Sequence, residues 1–199
     1  MTARLTKAGI GIVWARSLLA VATRRAGPGR PGPTGTVLRH SAGIRQLVLI
    51  LAGTEAVVAF PMSSMLPPAA RPVHAVLELL LVLAGLGLVA AVVRHPHEVH
   101  SDRVVLRTGF LGDVTLPRAA VRSAAPVVRT VPGRGPRPVP GEPGAVACSL
   151  DGSLDVAVRL EPPVRLDLGR AGVVEATVVY ASADSPAALA AALRPAPAP

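Results

Sequence analysis

VHAVLELLLVLAGLGLVAAVV, residues 73 to 93, holds only two ionisable side chains, His74 and Glu78. A helix of about 20 predominantly apolar residues crosses the hydrocarbon core of a bilayer, so this stretch reads as a membrane span. Upstream, LVLILAGTEAVVAFPMSSML (residues 47 to 66) is a second candidate span, interrupted by Glu55 and Pro61. Between them lies PPAARP, residues 67 to 72. So short a connection makes neighbouring helices antiparallel, and residues 44–94 are expected to form a transmembrane helical hairpin.

Charge placement agrees with that reading. The chain has 21 Lys and Arg against 12 Asp and Glu. Eight of the basic residues, Arg4, Lys7, Arg16, Arg24, Arg25, Arg30, Arg39 and Arg45, precede the first acidic one, Glu55. Basic residues flanking membrane spans mark the cytoplasmic side. The segment after the second span again opens with basic residues, Arg94, Arg103 and Arg107. Both termini are therefore expected on the cytoplasmic face of the cell membrane. A nucleic-acid-binding module would instead need a basic face on a folded unit. From residue 95 onward, however, basic and acidic residues nearly cancel, so no nucleic-acid partner is expected.

The flanks divide simply. Residues 1–43 read as a basic leader and Gly/Pro linker, mostly disordered, because AGPGRPGPTGT (26 to 36) holds no regular structure. From residue 95 to 195 a small β domain is expected. In HEVHSDRVVLRTGFLGDVTLP, Val and Leu alternate with polar residues and the pattern breaks at Ser101-Asp102 and Gly109, as in short antiparallel strands. Further strands are expected at 125–131, 145–150, 154–160, 164–168 and 173–181. PGRGPRPVPGEPG, residues 132–144, reads as a loop. Ser185 before Pro186 has the N-cap then first-turn arrangement that starts a closing helix. Residues 196–199 end a Pro/Ala tail expected to be disordered.

Leu106, Arg107, Gly109, Leu116, Pro117 and Val121 follow the two apolar spans in an order that resembles small membrane proteins of high-GC bacteria carrying a pleckstrin-homology-like (PH-like) domain. VAVRLEPPVRL and VVYASADSPAALAAAL are similar to the later strands and closing helix of that group. The resemblance spans about residues 45–195 and implies a curved, barrel-like sheet capped by one helix. It implies no activity, since such a fold hosts unrelated functions. The expected class is thus an α+β membrane protein: a two-helix transmembrane hairpin, then a small antiparallel β (PH-like) domain with a C-terminal helix.

Candidate chemistry is sparse. Glu55, His74 and Glu78 form a possible intramembrane polar site, since ionisable groups at membrane depth are costly and invite a functional explanation. His74 stands one helical turn from Glu78. Structural hydrogen bonding, with a buried carboxyl neutralised, is the favoured account of the three over a proton or cation site. His95, His97, Glu98 and His100 have a ligand-like spacing, but alternation on a strand sends His100 to the opposite face. They read as a polar juxtamembrane linker. Ser149, Ser153 and Ser185 lie outside any nucleophile motif, and His100 is the last histidine of the chain. Cys148 reads as a buried small hydrophobe. No catalytic residue, metal or cofactor is expected. The reading is a non-catalytic binding or scaffolding protein, partnered by the bilayer and by other membrane proteins or its own copies. The basic leader would touch anionic lipid. The alternative is a subunit of a proton- or cation-coupled transport assembly using Glu55 and Glu78.

Overall fold

A computed structural model describes residues 35–109 and 111–194. Strand β1 (Thr36–Leu38) comes first, then helices α1 (Ala42–Met65) and α2 (Arg71–Val93). Strands β2 (His97–Val99), β3 (Arg103–Arg107) and β4 (Asp113–Pro117) follow, with a 3-10 turn at Arg118–Ala120. The chain then forms β5 (Val121–Thr130), β6 (Gly135–Pro138), β7 (Ala145–Ser149), β8 (Ser153–Asp167), β9 (Val173–Ala181) and α3 (Pro186–Ala192). The layout is α+β, as expected.

α1 and α2 are both long and apolar enough to cross a membrane, and only 6% and 22% of their most apolar windows is buried within the protein. Along α1, beyond its first turn, the covered positions are Val48, Ala52, Glu55, Ala59 and Ser63, and along α2 they include His74, Glu78, Val82 and Gly85. That spacing of three and four is the stripe one helix presents to another. Gly85 lies opposite Ala52 and Val48. A Cβ there would meet Ala52 Cβ at 3.4 Å and Val48 Cγ1 at 3.5 Å, ordinary packing distances that mark where the two helices touch. The outward faces stay bare, with Phe60 83% and Met65 82% exposed. At the turn, Arg71 closes the hairpin by donating to Leu66 O at 3.1 Å and Ser64 O at 3.3 Å.

The strands divide into two sheets, ordered β1-β2-β3-β4 and β5-β8-β9-β7-β6. Their inner faces share one aliphatic core. Val104, Leu106, Val114 and Leu116 of the first sheet meet Val146, Val156, Val158 and Val179 of the second, with Leu189 of α3 and Leu193 just after it. The breaks expected at Ser101-Asp102 and Gly109 fall between β2, β3 and β4.

Four expectations are corrected. Within the leader and linker expected over residues 1–43, Thr36–Leu38 is instead a strand, since it pairs with Val99–His97 and so extends the first sheet. Residues 132–144 are not loop throughout, because Gly135–Pro138 pairs with β7. The two prolines are tolerated because β6 is an edge strand, where a missing N–H costs no ladder bond. Arg137 fastens the segment by donating to Val131 O at 2.6 Å, Gly135 O at 2.8 Å and Pro132 O at 2.9 Å. The separate strands expected at 154–160 and 164–168 are one, β8, with its register shifted between Arg159 and Val164. Nor is the domain wholly antiparallel. β9 lies between β8 and β7, antiparallel to one and parallel to the other. With β7 covered on both sides, Ala145 and Ala147 pack in a second cluster with Val131, Val139 and Leu154.

Ser185 caps α3 as expected, its Oγ accepting from Ala188 N at 3.4 Å. A helix this short does not persist alone. Arg118 holds its far end, donating to Leu193 O at 2.8 Å, Ala192 O at 3.1 Å and Arg194 O at 2.6 Å. Bonds to a charged donor are worth about 1.5–3 kcal/mol, so Arg118→Ala is expected to cost about 2 kcal/mol, the site being part exposed. Faster amide exchange in residues 186–194 would report it.

Candidate functional site: the polar joint beneath the hairpin

Where α1 begins and α2 ends, most of the buried polar side chains among the described residues gather. His40 is 1% exposed and His97 is fully buried, with Ser41, Glu98 and Ser182 nearly so. The two imidazoles stack, ring centroids 4.6 Å apart and planes 21° from parallel.

Each ring nitrogen has a partner, which fixes the neutral tautomers. His97 Nδ1 accepts from Arg107 N at 2.9 Å, so its proton lies on Nε2, which donates to Ser182 O at 2.7 Å. His40 Nε2 donates to His95 O at 2.8 Å, and its Nδ1 accepts from Ser41 Oγ at 2.8 Å. His95 in turn donates from Nδ1 to Ala91 O, the last turn of α2, at 2.6 Å. Burial is the largest cause that lowers both residues below an ordinary imidazole, bringing His97 down to about 3. Both rings are neutral near pH 7.

α1 is capped from a distance. Ser41, at its N-cap, has φ 62 and makes no cap bond of its own. A side chain other than glycine in this left-handed region costs about 1–2 kcal/mol. Its hydroxyl serves His40, and Asp184 caps the helix instead, accepting from Ala42 N at 2.8 Å and pairing with Arg45 Nη2 at 2.6 Å. Arg45 also donates to His40 O. On β2 and β3, Glu98 Oε1 lies 2.8 Å from Arg107 Nη1 and Glu98 Oε2 lies 3.2 Å from His100 Nε2. Glu98 Oε1 and Arg107 Nη1 attract as ions without hydrogen-bond alignment.

The expected site residues are only partly united. His74 Nε2 lies 3.4 Å from Glu78 Oε1, one turn apart on α2. Glu55 faces the same seam from α1. Taking Gly85 and Ala52 as level, Glu55 lies about 5 Å and Glu78 about 10 Å nearer the hairpin turn. Among the described residues no hydrogen bond or ion pair joins Glu55 to the other two. His74 Nδ1 and Glu78 Oε2 are shielded from solvent without a partner. The His95-to-His100 run is a correction too: it is not a polar linker, for His97 and Glu98 are buried on β2. Its histidines diverge to separate partners, and no group of three His, Cys, Asp or Glu among the described residues could hold a metal. Cys148 is fully buried, its thiol pushed up to about 12 by burial.

Sequence reasoning missed His40, Ser41, Arg45 and Asp184. One weak signal existed: an Arg and a His close to a span that begins without a capping carboxylate. Elsewhere, Tyr180 Oη donates to Glu142 Oε1 at 2.8 Å, Glu142 also pairs with Arg129, and that guanidinium lies 4.7 Å from the Tyr180 ring centre. Beside them is an open, mostly apolar depression lined by Pro138, Val139, Pro143 and Val174.

Comparison of the chain with family models, curated proteins and solved structures yields no match.

Proposed function

We propose that the chain is a membrane-anchored, non-catalytic protein whose β domain, PH-like by its sequence resemblance, serves as a binding or scaffolding module at the cytoplasmic surface of the cell membrane. The observation that carries this reading is the bare apolar exterior of a two-helix hairpin that shares a polar joint with the domain. Pairing of β1 with β2 brings the chain entering α1 beside the chain leaving α2, which supports one side for both. The basic residues before Glu55 make that side the cytoplasmic one. Membrane proteins or further copies of the chain are the expected partners, with anionic lipid at the basic leader, whose residues 1–34 lie outside the described residues.

Ile50 and Leu80 are 65% and 57% exposed, so the two readings of the hairpin separate there. In water, Ile50→Arg with Leu80→Arg would be nearly neutral. In a bilayer each costs about 2.5–3.5 kcal/mol at a helix centre. The double variant is expected to leave the membrane fraction while the native chain resists alkaline extraction. Recovery of the native chain in the soluble fraction would end this reading.

A second reading, a subunit of a proton- or cation-coupled assembly, is favoured by one observation: the unpartnered His74 Nδ1 and Glu78 Oε2 at the helix seam. Glu55→Gln with Glu78→Gln should abolish ion flux in reconstituted vesicles under that reading. Under the anchoring reading the variant keeps the membrane location and partner capture of the native chain.

A further inference from the structure

We propose that the stacked His40–His97 pair is an acid-released latch, which holds the hairpin to the β domain while both rings are neutral and frees it when they take up protons. The inference rests on the anchoring reading only for which segments it joins. Three parts of the chain meet at the pair: the β1–α1 junction through His40, the α2–β2 junction through His95 and His97, and the segment after β9 through Ser182. A proton added to His97 Nδ1 would aim an N–H at the N–H of Arg107 that it now accepts, so that bond must break. A proton on His40 Nδ1 likewise ends acceptance from the Ser41 hydroxyl, which would have to turn and become the acceptor. Two cationic rings 4.6 Å apart would also repel.

The neighbouring charges leave those cations poorly compensated. From α1 the pair is faced by Arg45, from β3 by Arg107, and from the end of α2 by His95. The nearest carboxylate, Asp184 after β9, is engaged by Arg45 and by the first amide of α1, and Glu98 on β2 is engaged by Arg107 and His100. The sign follows. An opened joint exposes imidazoles that bind protons at about 6.5, whereas the closed joint binds them only in stronger acid. The closed form is therefore fully favoured above about pH 6.5 and progressively lost below it. Each proton taken up raises the open population about tenfold per pH unit.

The test uses the full chain in lipid nanodiscs, with amide exchange corrected for intrinsic rate, from about pH 7.5 to about pH 4, a range that spans ordinary imidazole titration. Amides of Thr36–Leu38, Ala42 and Asp184 are expected to lose protection in acid, while those of Val156–Val158 and Val179 keep theirs. His40→Gln with His97→Gln supplies a neutral donor and acceptor at each site and should remove the acid response. Should that variant fold poorly, nitrogen chemical shifts of the native rings serve instead, because protonation must share its midpoint with the loss of protection. Protection that persists to the acid limit, a response unchanged in the glutamine variant, simultaneous loss throughout the β domain, or rings that titrate apart from the opening would each overturn the latch.

Discussion

Arg107→Ala is expected to destabilise the β domain by about 3 kcal/mol or more, measured by urea unfolding of the full chain in micelles or nanodiscs. Removing one member of a buried ion pair typically costs about 3–5 kcal/mol, because the other charge is left desolvated and uncompensated. Here the stranded group would be Glu98, whose side chain is only 10% exposed. His100, 3.2 Å away, offsets part of the loss and places the expectation at the lower end of that range. The backbone amide of Arg107 still bonds to His97 in the variant, so the effect reports the charge. The double change Glu98→Leu with Arg107→Leu separates pairing from packing. A buried pair replaced by apolar side chains is often neutral, so the double variant should be more stable than Arg107→Ala alone. A loss under about 1 kcal/mol in Arg107→Ala would mean that water reaches Glu98 freely.

Leu189→Ala and Leu106→Ala are each expected to cost about 2–5 kcal/mol in the same measurement. Both side chains are fully buried, one on α3 and one on β3, on either side of the shared core. Among the described residues that core has no aromatic ring, so leucine is the largest side chain available to fill it. Removal of a leucine therefore leaves a void that smaller Val and Ala neighbours fill poorly. Leu189→Ala should cost least if α3 can shift inward, and α3 is restrained from doing so by Ser185 at one end and Arg118 at the other. Val128→Ala is the control. Val128 is fully exposed and should stay within about 0.5 kcal/mol of the native chain. Equal effects at Leu189 and Val128 would show that α3 is not part of the folded core.

Several elements were legible because their signal is local. Both long helices follow from runs of apolar residues, and their observed bounds differ from the expected spans chiefly at the start of α1. The breaks between β2, β3 and β4 follow from Ser101-Asp102 and from Gly109, and the start of α3 from Ser185-Pro186. Strand β6 was not legible, since proline argues against a strand until it is known to lie at an edge. The union of two expected strands into β8 was hidden for a related reason, as Pro162 and Pro163 interrupt the alternation on which a strand is recognised.

By itself, then, the sequence determined a greasy hairpin, a β domain rich in Val and Leu, and the absence of a recognisable nucleophile motif. Hydrophobic length, alternation and capping are properties of neighbouring residues, and need no partner from elsewhere in the chain. Only the tertiary structure decided the joint. His40 meets His97 across 57 positions, and Asp184 caps a helix that starts 142 positions earlier. Nothing local distinguishes those histidines from His74, His95 and His100, which stay partly exposed. Their neutral, stacked state arises because strand pairing and core packing carry them out of water together, and burial then disfavours the proton that each would bind in solution.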